Sequence, residues 1–490
     1  MFQKYSAGRI LSEGSLFSST SVFELFALLL EALIKVNFSE WLTSVPFLLA
    51  SLISIGFQRR VNLRGVIRTL GLIACFLSML IAWLAPTPFP LEDGARITTL
   101  LTISHVAISG VIFAVIPYRV LATADVSVLF LIQALCLGMF RVSSVLSFVV
   151  VVLLTNALVS LLVIRETKRS SGDPRTTERN HAYFLFRLIA IVSLCLFTLS
   201  QGISHLLFGV ISSPPPTEIG YFSAACLVIS LFSFLGLFPF HSWFPLFLGA
   251  PRLNLFIPVT TISIGITFFL RFFSPIFPRI PNHLSFLVTI FAAIGLIYGA
   301  LLLFGEHRLK RIVGYVVMSH LGLMVLVGTS GGEAAGSLPV QIDSINLLFA
   351  ASGLVVVLTI LASRFGLTGV TSASGLASAY PELGLCFLVC ALSLVGFPGT
   401  IGFVSEELLF QGGFAYRTQI LPIIVGALAL NGYSCFRLFA RSFFGNPSFP
   451  DAAALPLATR ERASLLIITA FILANGLMPD LMLKVFFWWV

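Results

Sequence analysis

The sequence predicts an all-α polytopic membrane protein of about 14 to 15 transmembrane helices. Three observations lead there. The first is composition: 58% of the 490 residues are hydrophobic and 10% are charged, where a soluble domain carries about 25% charged residues. Mean hydropathy is +1.03, and Phe is abundant at 48 residues, which suits a surface facing lipid. The second is a near-continuous series of apolar spans of bilayer length. The third is that the basic clusters between those spans all fall on one side.

Residues 1–40 form an N-terminal segment. Met1 to Thr20 is polar and of mixed charge. It lacks the basic, apolar and small-residue order of a cleaved signal peptide, so none is expected. Residues 21–38 carry Glu24, Glu31 and Lys35. They read as an extra span or as a helix lying in the interface, with the extra span preferred. Residues 41–490 read as one membrane domain. Its apolar spans lie near 41–57, 66–85, 98–118, 124–143, 145–164, 183–211, 219–247, 253–274, 284–304, 311–329, 342–364, 382–410, 417–440 and 463–488.

Orientation follows from the loops. Arg59, Arg60 and Arg64 follow the span 41–57, and Arg165, Lys168, Arg169, Arg175 and Arg179 follow 145–164. Arg308, Lys310 and Arg311 follow 284–304; Arg364 ends 342–364; Arg441, Arg460 and Arg462 follow 417–440. An even number of spans separates each cluster from the next, so all lie on the cytoplasmic (or matrix) side. The net charge of +9 is therefore a loop property. No Lys/Arg run interleaved with aromatics is present, and nucleic acid is not an expected partner. The Trp488–Trp489 end reads as an aromatic-belt anchor.

Seven Cys are scattered through apolar spans, and none forms a CxxC pair. Cys386 and Cys390 share a helix face but have no His or carboxylate beside them in sequence, so no metal site is expected. No haem, flavin or iron–sulfur motif is visible, and no cofactor is expected.

Two spans look discontinuous. Residues 219–247 contain Gly236, Pro239 and Pro245, and 382–410 contain Gly396, Pro398, Gly399 and Gly402. Proline removes a backbone donor and breaks a helix. Broken backbone at membrane depth persists only where protein or a water cavity satisfies it. Paired breaks in two halves point to a transport site between repeats.

At these breaks the sequence resembles a known family. LFPFHSWFPLFLGAPRLNLFIP (237–258), HRLKRIVGYVVMSHLGLMVLVG (307–328) and LSLVGFPGTIGFVSEELLFQG (392–412) are similar, in order and spacing, to segments of the antiporter-like proton-channel subunits of respiratory complex I and of Mrp-type antiporters. The resemblance implies two inverted five-helix repeats, the first about 124–274 and the second about 284–440, each with one broken helix. It also implies a membrane subunit of a proton-translocating, NADH-quinone-oxidoreductase-like complex that holds no redox centre and packs against other membrane subunits and lipid. The implied location is the bacterial inner membrane or a mitochondrial or plastid inner membrane. The alternatives it leaves open are a cation/proton antiporter, the membrane subunit of an inorganic-carbon uptake complex, and a non-conducting scaffold. The long amphipathic C-terminal arm of some family members is not expected before Val490.

The chain departs from this family where it matters most. Matching the motifs places Asn156 at the family's Glu position and Phe234 at a Lys position. Val259 falls where His or Lys is usual, and Phe349 near another Lys. An ionisable residue at membrane depth costs at least about 2.5–3.5 kcal/mol and signals function, so losing several argues that conduction is partial or lost. Glu406 survives, and reads first as a proton-exchange carboxylate, with Glu407 beside it at the start of a half-helix. The other reading for both is N-terminal helix capping or an interfacial charge. His241, in the first break, reads as a backbone-holding group or as a proton relay. His320 reads equally as a bridge between halves or as a core histidine. Lys310, four residues after Glu306, reads first as a snorkelling anchor. His105 and His205 read as structural, and Arg141, Arg187 and Arg271 as interfacial.

Overall fold

The computed structural model describes residues 41–56, 64–84, 92–115, 123–169, 174–202, 219–247, 256–306, 309–329, 337–365, 375–416, 421–445 and 456–480. The segment 21–38, His205 and the Trp488–Trp489 end lie outside them. Every regular element among the described residues is helical. In order they are α1 (Val45–Gly56), α2 (Arg64–Leu84), α3 (Glu92–Val115), α4 (Thr123–Arg141), α5 (Val145–Arg169), α6 (Pro174–Ser200), α7 (Tyr221–Leu235), α8 (Trp243–Phe247) and α9 (Phe256–Thr267). There follow α10 (Asn282–Gly305), α11 (Leu309–Gly328), α12 (Ser337–Phe365), α13 (Pro381–Ser393), α14 (Ile401–Tyr416), α15 (Leu421–Phe443) and α16 (Thr459–Leu477).

Seven of the described helical segments are long and apolar enough to cross a bilayer. Their environments differ. In the central one, Leu338–Leu361 of α12, 94% of the most apolar window is buried inside the protein, against 33% for Asn180–Ser200 of α6. The first is therefore an inner helix with an apolar surface all round. The second turns Leu185, Leu188 and Leu199 outward, as a lipid-facing helix does. α10 and α11 pack closely. A Cβ on Gly322 would lie 2.7 Å from the Leu296 amide nitrogen, and one on Gly299 would lie 2.9 Å from that of Ser319. Small residues at these positions let the two backbones touch, the usual basis of helix association in lipid.

Both expected breaks are present, and they are built alike. α7 stops at Gly236 (φ +64°) and α13 is followed by Gly396 (φ +68°), each in the left-handed region. In each, the second residue after the turn reaches back across six residues: Leu237 N–H to Phe232 O and Phe397 N–H to Leu392 O, both 3.0 Å. Pro239 and Pro398 follow at once, and neither is able to continue the helix. The half-helices α8 and α14 then resume. α8 packs on both α6 and α11, so α11 runs from the first break to the second.

The span expected at 253–274 is regular only to Thr267. It continues as a π-helical turn, Phe268–Phe273, which re-aims Arg271. The guanidinium of Arg271 donates to the carbonyls of Met139 (2.8 Å) and Val142 (2.6 Å). It thereby caps the C-terminus of α4, where carbonyls lack partners and a cation is favoured.

Candidate functional site

The polar groups of the chain's second half converge where α13 breaks. α11 contributes His320, α12 contributes Asp343 and Asn346, and α14 contributes Ser405 and Glu406. His320 and Asp343 are fully buried and Glu406 is 5% exposed. The imidazole Nε2 of His320 hydrogen-bonds the carbonyl of Leu394 in the break. Its Nδ1 lies 3.9 Å from Oδ1 of Asp343. The Ser405 hydroxyl sits between that same Oδ1 (3.3 Å) and the Gly402 carbonyl (2.9 Å). One residue on, Glu406 is near enough to Asp343 for the two carboxylates to repel one another. Glu406 also fills the hollow left by Gly396, where any Cβ would strike its carboxylate.

Asn346 ties the shoulders of the break together. It accepts from the Ser393 hydroxyl (2.6 Å) and donates to the Ser393 carbonyl (3.3 Å), while the Gly402 amide donates to Ser393 Oγ (3.3 Å). On the far side of α11, Asn431 of α15 donates to Ser319 Oγ at 2.8 Å. Four buried polar atoms in this region have no hydrogen-bond partner: His320 Nδ1, Asp343 Oδ2, Glu406 Oε1 and Asn431 Oδ1. Buried groups of this kind are normally satisfied. Open acceptors and one open ring nitrogen around a broken helix are the inventory a mobile proton or bridging water requires.

Three expected site residues stand differently. Glu407 is exposed and turns away from this cluster. Lys310 lies in the first turn of α11, and its side chain is outside the described residues. Glu306 lies just before α11, and its carboxylate is 3.7 Å from Arg311 Nη1. His241 is half-buried at the first break, its ring edge-on to Tyr298 at 4.9 Å and stacked on Phe238.

The positions where ionisable groups were missing are filled as apolar or self-satisfied core. The Asn156 amide donates to the Val152 carbonyl one turn back in its own helix (2.7 Å). Phe234 is fully buried and Val259 nearly so. Phe349 stacks on Phe471 of α16. The arginines expected at the interface are instead internal. Arg141, Arg187 and Arg271 are 1%, 2% and 7% exposed. Arg187 lies over the rings of Trp243 (4.3 Å), Tyr183 and Phe234 (5.6 Å each), a cation–π cage beside the first break. Aromatic rings solvate Arg187 and helix-end carbonyls Arg271 in place of water, a compensation with no one-dimensional signature.

Asp343 was the main omission. In sequence it lies just before the apolar stretch 346–353 and carries no motif; the structure buries it in the cluster. Among the described residues no group of three or more His, Cys, Asp or Glu side chains could hold a metal ion.

Comparison with known proteins agrees with this architecture. Residues 158–430 match the family described as "NADH:quinone oxidoreductase/Mrp antiporter, TM". A curated relative, the NADH-quinone oxidoreductase subunit M of Pseudomonas aeruginosa, is 29% identical over 252 residues, 50% of this chain and 48% of that protein. The chain spans about half the length of the first curated relatives it matches. Among solved structures, a chain of respiratory complex I from Thermus thermophilus with bound NADH superposes with a TM-score of 0.73 at 21% identity, covering 88% of this chain and 96% of that one. A chain of the Mrp complex from Dietzia sp. gives 0.72 at 17% identity, covering 92% and 96%. At those identities the likeness is one of fold.

Proposed function

This chain belongs to the NADH:quinone oxidoreductase/Mrp antiporter transmembrane family, and it is an integral, multi-pass membrane protein. On that premise we propose that it is a non-redox, antiporter-like membrane subunit of a proton-translocating complex of the NADH:quinone oxidoreductase type, with proton exchange confined to the second half. About fourteen spans in two inverted repeats, 124–274 and 284–440, form part of this reading. The matched device of Gly236 with Pro239 and Gly396 with Pro398 supports it. The observation that carries the proposal is the cluster of His320, Asp343 and Glu406, drawn from three separate helices to one broken backbone and left with open polar atoms. Such groups are costly at membrane depth and persist where ions or protons move.

The asymmetry between halves favours one second reading. With Asn156, Phe234 and Val259 of the first half buried, and Phe349 of the second half stacked on Phe471, a wholly non-conducting scaffold is the rival. A cation/proton antiporter would share the same cluster.

Purification from native membranes in mild detergent, with mass spectrometry of the co-migrating proteins, tests the subunit reading. Stoichiometric companions of a quinone-reducing complex are expected; a stable, solitary chain would overturn it. Replacing Glu406 by Gln then separates conduction from scaffolding, since the scaffold predicts unchanged proton transport and the proposal predicts its loss.

A further inference from the structure

The first half has lost the ionisable residues its relatives' motifs call for, yet it is not without a buried titratable group. His105, on α3, is fully buried. Between residues 92 and 276 it is the only fully buried histidine or carboxylate among the described residues. It also has partners, contrary to the sequence expectation. Its Nδ1 lies 2.8 Å from the hydroxyl of Ser263 on α9. The carbonyl of His105 accepts from Ser109 Oγ at 2.7 Å, and Ser109 Oγ in turn accepts from the Gln133 amide of α4. One turn beyond Ser263, Thr267 donates its hydroxyl to the Ser263 carbonyl at 2.6 Å. Phe140 closes the ring's edge at 5.4 Å. The imidazole Nε2 makes no hydrogen bond of ordinary geometry, although Gln133 lies against the ring.

Three elements thus supply a hydroxyl- and amide-lined cluster around one imidazole: α3, α4 and α9. The cluster's position gives it a use. α3 packs on α12 and α16, and α9 also packs on α12; α12 carries Asp343. The cluster is thus built on two helices, α3 and α9, that both pack on the inner helix of the second half. Its chemistry suits a carrier: imidazole accepts a proton at one nitrogen while releasing one at the other, and Ser263 is able to donate or accept at Nδ1 while Nε2 stays open. Among the described residues no charged side chain acts on the ring; its polar neighbours are Ser263 from α9 and Gln133 from α4.

We propose that His105 is the proton-carrying residue of the first half, handing protons between the Ser263–Thr267 side and the α12 interface. α3 then provides the relay that α5, α7 and α9 no longer provide. This rests on the reading of the second-half cluster as a proton-exchange site. No redox step or co-reactant is involved; one proton enters at one ring nitrogen and one leaves from the other.

The test uses the full chain, with the subunits that co-purify with it, in liposomes carrying an internal pH dye, with proton entry driven by a potassium diffusion potential. His105→Asn retains an amide that can bond Ser263 but cannot carry a proton. The proposal expects its flux to fall on the order of a hundredfold, as expected for loss of a proton-transfer group, and Ser263→Ala to lower flux by a smaller factor with a displaced pH profile. A purely structural His105 predicts near-normal flux in His105→Asn and loss only in His105→Ala; that result overturns the inference. Glu406→Gln keeps the two claims apart. If it abolishes flux while His105→Asn does not, the inference fails and the second-half reading stands. If the wild-type chain passes no protons, or Glu406→Gln leaves flux unchanged, the second-half reading fails and the inference falls with it.

Discussion

Oδ1 of Asp343 lies 3.9 Å from Nδ1 of His320, and both side chains are fully buried. The two come from adjacent helices, and Nε2 of the same imidazole bonds the broken backbone at Leu394. A change in protonation at Asp343 is therefore felt at the break through a single ring. Asp343→Asn keeps an acceptor for Ser405 but removes the charge. Proton transport is expected to fall on the order of a hundredfold, the scale of one lost acid–base group, while the melting temperature stays close to that of the parent. Parallel measurement of flux and thermal unfolding checks both parts.

Gly396 and Gly399 allow a paired experiment. Both have positive φ, +68° and +91°, so Ala at either costs roughly 1–2 kcal/mol in backbone strain. A Cβ at Gly396 also strikes the Glu406 carboxylate, whereas at Gly399 the nearest atom is Leu477 Cδ2 at 3.6 Å. Gly396→Ala is expected to lose both stability and transport; Gly399→Ala should lose stability alone. Equal transport in the two variants would show that the position of Glu406 does not govern flux.

Arg271 is a structural cation. Arg271→Met removes donors to two helix-end carbonyls and leaves both buried acceptors unsatisfied, a loss of about 2–4 kcal/mol on the scale of charge-assisted bonds. Arg271→Lys, with one compact ammonium in place of the fork, should recover about half of it. Chemical or thermal unfolding in detergent reads the difference, and no recovery by Lys would show that the two-carbonyl geometry matters more than the charge.

Arg187 rests on three aromatic rings. Trp243→Leu removes the nearest of them and should cost about 2–5 kcal/mol, combining the lost indole packing with about 1–2 kcal/mol of cation–π attraction. In an Arg187→Met background the same substitution should cost less by that second amount. A double-mutant cycle measures the difference, and additivity of the two substitutions would dismiss the cage as an energetic unit.

Much of the architecture was legible because it depends on properties local to a stretch of chain. Bilayer length, the Gly–Pro pairs at Gly236–Pro239 and Gly396–Pro398, and the motifs around them each act through neighbours in sequence, by desolvation of the backbone or by φ restriction. The loss of ionisable groups was equally plain, since no Lys or Glu stands anywhere in 145–164, 219–247 or 342–363. The partnerships were hidden. Which residue of an all-apolar helix faces which neighbour turns by about 100° per position, and only packing sets that rotation. So Asp343 was given no role, Arg187 and Arg271 read as interfacial, and His105 read as structural. The sequence by itself determined that this is a membrane-embedded helical protein with two interrupted spans. The tertiary structure alone decided that His320, Asp343 and Glu406 meet at one of the breaks, and that Arg187 and Arg271 are solvated by rings and helix ends, because those contacts join residues tens of positions apart whose burial is tolerable only once they have found each other.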